Sequence, residues 1–558
     1  MSVKTKWFAV AVIVIVSAVC LWRGARVYAR YKEQRLTLQA RLFLQDGNYQ
    51  EAFLTTQQIL GANPANVDAC RFMAELTERA KDPSTLIWRR RVAELSPTFE
   101  NRLTLAAAAL LFERPPYPLA QQTSEEIRAL GQETAAYHVI AAQLSLKQNQ
   151  FAEAQAHYQQ AIRLEPEKES HQLNLAVLRL QSKDPGIVAG ARATLERLCD
   201  HPRLGTFALR SLVSESLEKK ERERALQFSK QLLTRPQAVF GDRVRHLSIL
   251  HSAGDSAVDT FLSTLRHEAS TNELSVYQLA NWMIGRGRAE EALGWIETLP
   301  PELQARQPVP KAVVEGLLAR KDWPKLESFL KGQQWGGQDF VRLALMSRAL
   351  RHQALNDSAQ SRLQEAVRMG SRRVESLVIL NQLLESWGWQ TEADEVLQHL
   401  VKRFPKERRA LQAVAMTYHA RGNTPGLYEV FNLILKSNPG DALTMNNFAM
   451  VCLLLNTNLN QAHFLAEQAY TSAPGNPAFV STRAFSLHSQ GKHSEALEIF
   501  ATLPRADLET PGVALYYAMA LAAAGEVEQA PKYSSLAEHA QLLPEEKQLL
   551  EQTKKTRK

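Results

Sequence analysis

The chain has 558 residues, of which 45% are apolar, 8% aromatic and 22% charged, with four cysteines. One hydrophobic core stops growing at roughly 250–300 residues, so this length requires several domains or a repeat array, and the composition excludes disordered, collagen-like and polytopic membrane classes. The formal charge of +8 sits at the ends: residues 1–35 carry +6 and the last eight residues +3, which leaves −1 for residues 36–550.

A neutral body argues against an extended nucleic-acid surface. Cys20, Cys70, Cys199 and Cys452 are too scattered for a disulfide framework or a metal knuckle and are expected to be buried free thiols.

After a basic tail over residues 1–6, the stretch from Trp7 to Trp22 is uncharged and mostly β-branched aliphatic, with Lys4 and Lys6 before it and Arg23 and Arg26 after it. As a helix it rises about 24 Å, short of the roughly 30 Å hydrocarbon core. Lys6, Arg23 and Arg26 can snorkel, and Trp7 and Trp22 suit the two aromatic belts, so a transmembrane helix is expected over 7–25 with a basic juxtamembrane segment over 26–35. The competing reading is a cleaved signal peptide. Against it, Arg23 and Arg26 lie between the apolar stretch and Val27-Tyr28-Ala29, and Ala18-Val19-Cys20 has valine where a small residue is wanted. More basic residues follow the span than precede it, which leans the C-terminal part toward the cytoplasm without excluding the periplasmic side.

Beyond residue 35 prolines mark a period. Pro64, Pro97, Pro166, Pro202, Pro236, Pro300, Pro405, Pro439 and Pro474 mostly end apolar helical patterns, and the steps 64–97, 202–236, 405–439 and 439–474 are 33, 34, 34 and 35 residues. Within a unit a first amphipathic helix ends near Gly47, Asn149 or Gly491, residues that tolerate a left-handed cap. The second helix carries alanine in its second turn, at 52, 154, 292, 393, 462, 496 or 530, and another small or aliphatic residue seven positions later, as at Ala161, Ala469 and Leu400. Small residues at fixed offsets let two antiparallel helices approach closely, and a pair that buries its other apolar face on the next pair builds a solenoid.

The units resemble the tetratricopeptide repeat, a 34-residue helix–turn–helix with small residues and a terminal proline at set offsets. Residues 33–65 match through Leu36, Ala40, Phe43, Gly47, Tyr49, Ala52, Ile59 and Pro64. Residues 408–441 match through Leu411, Ala415, Tyr418, Gly422, Phe431 and Pro439, with Leu427 where alanine is usual; residues 443–476 match through Ala449, Ala462, Ala469 and Pro474. The resemblance covers 33–544, about 15 units by the 34-residue period. It is degenerate at 99–133, where Pro115, Pro116 and Pro118 occupy the turn, at 239–271, and at 306–338, where Lys331–Gln338 is an expanded connection. A basic C-terminal tail is expected over 545–558. The resemblance implies an all-α, right-handed superhelical solenoid. Pentatricopeptide repeats share the period and bind RNA, but the neutral body and the alanine offsets oppose that reading.

Chemistry-bearing motifs are missing. There is no HExxH, no P-loop, no GxGxxG and no GxSxG. Gly285-Arg286-Gly287 falls at a repeat turn, and the pairs His246/His251 and His488/His493 are five apart, poor spacing for one helix face. No non-repeat segment could house a catalytic domain, so no enzyme activity, cofactor, metal or small-molecule substrate is expected. By resemblance the first helices line a partner-binding surface, at Arg41, Arg210, Tyr277, Asn281, Arg348, Gln382, Gln412, Met416 and Asn447. A carboxylate clamp of the kind some family members use is not supported, since only Asn174 falls at one of its positions. Trp387 and Trp389 flank a turn, either as partner anchors or as packing between repeats, and Arg89-Arg90-Arg91 reads as a solvated or stacked helix face. The expected role is a membrane-tethered scaffold that binds proteins or peptides, in a setting such as bacterial envelope assembly. The alternatives are a secreted or periplasmic repeat protein with a cleaved signal peptide and a helical-repeat nucleic-acid binder.

Overall fold

The computed structural model describes residues 23–24 and 27–555, and among them every regular element is a helix. The sequence from residue 27 onward forms fifteen helix pairs, beginning with residues 27–45 and Tyr49–Ala62 and ending with Pro511–Ala524 and Ala530–Ala537, followed by a terminal helix, Pro544–Lys555. Of the transmembrane helix expected over 7–25, all but residues 23–24 lies outside the described residues. Among those described, no helix is long and apolar enough to cross a membrane.

The turn inside thirteen of the pairs explains the period. A residue with positive φ stands at Gly47, Lys81, Asn149, Lys220, Gly254, Gly287, Lys321, Ala354, Gly388, Gly422, Asn456, Gly491 and Gly525. The next amide reaches back five residues, as Asn48 N to Phe43 O at 2.8 Å, Gln150 N to Ser145 O at 2.8 Å and Lys492 N to Leu487 O at 3.0 Å. This is the Schellman closure, which satisfies carbonyls left over at a helix end. From Lys220 to Gly525 the steps between these residues are 33, 34 or 35. The left-handed caps expected at Gly47, Asn149 and Gly491 are present, with φ of +77°, +61° and +77°.

Close packing follows. Ala52, Ala154, Ala161, Ala292, Ala393, Ala462, Ala469 and Ala496 are all at 0% exposure, and Leu427 fills the alanine position at 1%. The degenerate units keep complete pairs. Phe99–Phe112 and Pro118–Gly131 flank the proline-rich turn, where the Glu113 carboxylate accepts from Leu119 N and Ala120 N at 2.8 and 2.9 Å and so caps the second helix. Phe240–Ala253 pairs with Val258–Ala269, and Val309–Arg320 with Trp323–Lys331. The expanded connection ends in one short 3-10 turn, Gly336–Gln338. Apolar spacing alone holds such pairs, because burial on neighbours dominates helix stability.

The basic segment expected over 26–35 is helical from residue 27 and runs on into the first helix, where the Glu33 carboxylate accepts from Asn63 Nδ2 at 2.7 Å and Asn66 Nδ2 at 2.6 Å. The C-terminal residues do not form a tail through 555. They are a packed helix, with Leu550 and Thr553 buried and Lys554 paired to Glu538 at 2.8 Å. The chain divides into two compact units, Met1–Trp282 with Trp295–Val309, and Met283–Gly294 with Pro310–Lys558.

Candidate functional site

Within each unit the first helices of successive pairs pack on one another, as Gly205–Glu218 does on Glu169–Arg179 and Pro477–Ser489 on Ala442–Leu454. In the first unit three such helices, Ala135–Lys147, Glu169–Arg179 and Gly205–Glu218, bound a groove of about 510 Å³. Its lining mixes apolar side chains, among them Leu146, Leu173, Val177 and Phe207, with polar ones, among them Asn174, Gln181, Arg210 and Glu218. Phe207, in the first turn of Gly205–Glu218, is 56% exposed, a large apolar surface that a partner's apolar side chain would cover.

The residues expected to line a partner surface divide by environment. Gln382, Gln412 and Met416 are exposed, Met416 to 75%. Arg41 is exposed, 3.9 Å from Asp68 and over the Phe72 ring. Tyr277 and Asn281 are half-buried, and Asn447 Oδ1 accepts from Asn446 Nδ2 at 3.2 Å. Arg210 is committed internally: Nε and Nη2 donate to the two Asp242 oxygens at 2.9 and 2.7 Å, and Nη2 also reaches Gln237 O at 3.3 Å. Burial pushes the Asp242 carboxyl up, but the Arg210 bonds and the Val239 N–H outweigh it and hold the group below its usual value. Of the residues assigned to the anchor, Lys4, Lys6, Trp7, Trp22 and Arg26 lie outside the described residues and Arg23 is exposed.

Arg348, Trp387 and Trp389 are brought together in the second unit. The Arg348 guanidinium lies over Trp323 at 5.6 Å and over Trp387 at 5.0 Å; Trp387 and Trp389 meet edge to face at 5.3 Å. Arg351 covers Trp389 at 4.1 Å and pairs with Glu392, and His352 stacks on Trp323 at 3.9 Å with 8° between the planes. Trp323, Arg351 and His352 were not among the expected site residues. The available signal was position: Trp323 and Trp389 each follow a left-handed turn residue, Lys321 and Gly388. The tryptophans pack on each other and on the two arginines, and both indoles remain partly exposed.

The terminal helix packs on the last pair and reaches back to the turn of the pair Arg408–Ala420 and Thr424–Ser437. Leu543 joins an apolar cluster with Leu411, Leu427 and Val451, and Pro544 sits so close to Gly422 that a Cβ there would come within 3.1 Å of its ring. Thr424 Oγ1 donates to Glu545 Oε2 and Tyr516 OH to Glu546 Oε1, each at 2.5 Å.

The remaining polar candidates are internal. Cys70, Cys199 and Cys452 are buried free thiols, and burial pushes Cys199 up to about 11 and Cys452 to about 12; Cys20 lies outside the described residues. His488 and His493, five apart in sequence, face each other across a turn with ring centroids at 4.8 Å. Arg89 is tied to Glu78 at 2.6 Å. Among the described residues no group of three or more His, Cys, Asp or Glu side chains is placed to hold a metal.

Residues 141–203 match the family model for the tetratricopeptide repeat. No curated protein matches the sequence. Among solved structures, the chain is similar to the APC/C hetero-tetramer Cut9–Hcn1 at 12% identity, covering 90% of this chain and 95% of that one with a TM-score of 0.26. It is similar to Naa15/Naa10 bound to HypK-THB at 15% identity, over 94% and 78% of the two chains with a TM-score of 0.27. The third is PilF from Pseudomonas aeruginosa, at 15% identity over 43% and 92% with a TM-score of 0.24. The matched helices, Ala135–Lys147 to Pro185–Leu198, form the groove's first two pairs, so residues 141–203 are tetratricopeptide repeats and the helix pairs on either side follow the same plan.

Proposed function

We propose that this protein is a non-catalytic scaffold whose repeats, on a right-handed superhelical path, bind segments of partner proteins, and that residues 7–25 tether it to a membrane with the array leaning to the cytoplasmic side. The observation that carries the binding role is the groove at Leu146, Leu173, Val177 and Phe207, where apolar and polar side chains of three successive first helices line one concave surface. The uncharged Trp7–Trp22 stretch between basic flanks supports the tether, and bacterial envelope assembly is a setting that fits both.

The binding role is tested with a photo-crosslinking amino acid placed at Phe207 in cells. Discrete protein adducts at 207 are expected and are absent when the crosslinker replaces exposed Ile87; adducts to RNA, or none, overturn the reading. The tether is tested by alkaline extraction of membranes, which the full chain resists and a chain lacking residues 1–26 does not. A mature N-terminus near Arg30, read by mass spectrometry, replaces the tether with a cleaved leader.

A further inference from the structure

The cluster around Arg348 has a charge without a counter-charge. Other arginines of the first helices and their turns have one: Arg210 has Asp242, Arg342 has Asp339, Arg351 has Glu392, and Arg421 has Glu385 and Asp394. Among the described residues Arg348 forms no ion pair, and its Nε is shielded from water without a hydrogen-bond partner. Its contacts are the indoles of Trp323 and Trp387. Burial lowers its pKa, and no acidic neighbour opposes this. His352 is held below its ordinary value by burial and then by Arg348 and Lys321.

A guanidinium packed against indoles offers its N–H edge rather than its face to a ligand, and that planar fork matches a carboxylate in bidentate fashion. The half-buried indoles beside it supply apolar walls for the residues flanking such a carboxylate. A polyphosphate fits less well, because Glu327 and Glu392 stand in the same turns and the body of the chain is neutral.

We propose that Arg348, Trp323 and Trp387 form a receptor for an acidic side chain of a partner protein, presented on an extended segment with apolar residues next to it. This rests on the scaffold reading and names the chemistry of one of its contacts. Arg348 bonds the carboxylate, the tryptophans cover the flanking side chains, and Arg351, neutralised by Glu392, holds Trp389 in place.

The test uses the full chain and two capped, fluorescein-labelled peptides of about twelve residues, the length an extended segment needs to cross several repeats. In one, glutamate alternates with leucine and serine; in the other, glutamine replaces glutamate. Fluorescence polarisation is expected to show binding of the glutamate peptide alone, with accompanying change in tryptophan emission. R348Q is expected to weaken it at least tenfold, R348K by less, and R89Q, at an arginine paired to Glu78 in the other unit, not at all. Equal affinity of the native chain and R348Q for the glutamate peptide overturns the proposal, as does equal binding of the glutamine peptide. Displacement by a short single-stranded DNA in an Arg348-dependent manner overturns it in favour of phosphate. Should R348Q lose its helical circular dichroism, R348K decides, since it keeps the charge but not the fork: unchanged affinity overturns the proposal. If neither peptide binds while adducts still form at position 207, the Arg348 receptor falls and the scaffold reading stands.

Discussion

His138 Nδ1 lies 2.9 Å from His157 Nδ1, joining the first and second helices of one pair. Such a bond needs one ring nitrogen to donate and the other to accept, so it exists only while at least one ring is neutral. Burial holds both histidines below their ordinary value, and His157 is lowered further by His138 itself. A histidine whose pKa is depressed by folding takes up a proton more readily when unfolded. Its contribution is therefore complete above about pH 6.5 and is lost as pH falls below that value toward the folded pKa. His246, His463 and His488 are lowered by burial in the same direction. Urea denaturation is expected to show a lower midpoint at pH 5.5 than at pH 7, with His157→Gln reducing that difference. An identical pH dependence in the variant would remove the pair from the explanation.

Leu427 stands where the repeat pattern has alanine, yet it is 1% exposed and belongs to the apolar cluster with Val430, Ile434 and Leu543. The pattern and the packing give opposite predictions for Leu427→Ala. Packing governs, because a cavity and lost apolar contact outweigh a small gain in helix propensity, and the substitution is expected to cost about 2–4 kcal/mol. In the opposite direction, Ala161→Leu forces a larger side chain into a closed helix contact and costs about 1–3 kcal/mol. Both are measured by chemical denaturation at constant m-value. Stabilisation by Leu427→Ala would show that the repeat pattern, not the local packing, sets the optimum.

Arg210 occupies a position expected to face a partner, but its donors are spent on Asp242 and Gln237. Asp242 is only 6% exposed, so its carboxylate needs the guanidinium more than any ligand does. Asp242→Ala is expected to lose about 1–3 kcal/mol, the range for a charge-assisted pair that is partly open to water. Arg210→Gln should lower stability by a similar amount and leave crosslinking from position 207 intact. Loss of adducts in a variant with unchanged denaturation would return Arg210 to the binding surface.

The period, the turns and the alanine contacts were legible because each is a local demand repeated at fixed spacing. Gly47, Asn149 and Gly491 must take positive φ, and Ala154 or Ala462 must admit a neighbouring helix. The degenerate units still fold as pairs since Phe240–Ala253 and Val258–Ala269 need only apolar spacing. What escaped was set by distances between units. Trp323 and Arg348 are 25 positions apart and meet through side-chain direction, which spacing does not encode. The terminal helix was hidden by its own charge: Lys554 and Lys555 read as a basic tail, while Leu542, Leu543 and Leu550 are too few to signal a period.

The terminal helix gives the last prediction. Tyr516 OH donates to Glu546 Oε1 at 2.5 Å, and Glu546 Oε2 accepts from Leu543 N at 2.8 Å, so one carboxylate both caps the helix and ties it to the preceding pair. Tyr516 is 3% exposed, and its phenol has no route to water when Glu546 is removed. Tyr516→Phe leaves the cap in place and deletes only the tie, whereas Glu546→Gln weakens both and also leaves a buried hydroxyl with a poorer acceptor. Hydrogen exchange should therefore show faster exchange across residues 544–555 in both variants, by roughly five- to tenfold for Tyr516→Phe, which corresponds to about 1 kcal/mol, and by more for Glu546→Gln. Exchange in the helix Ala442–Leu454 should be unaffected, because the tie holds a single element at the end of the array. Equal acceleration throughout residues 408–555 would mean that the terminal helix and the last four pairs open as one cooperative unit, and that the contact of Pro544 and Glu545 with Gly422 and Thr424 carries as much as the Tyr516 bond.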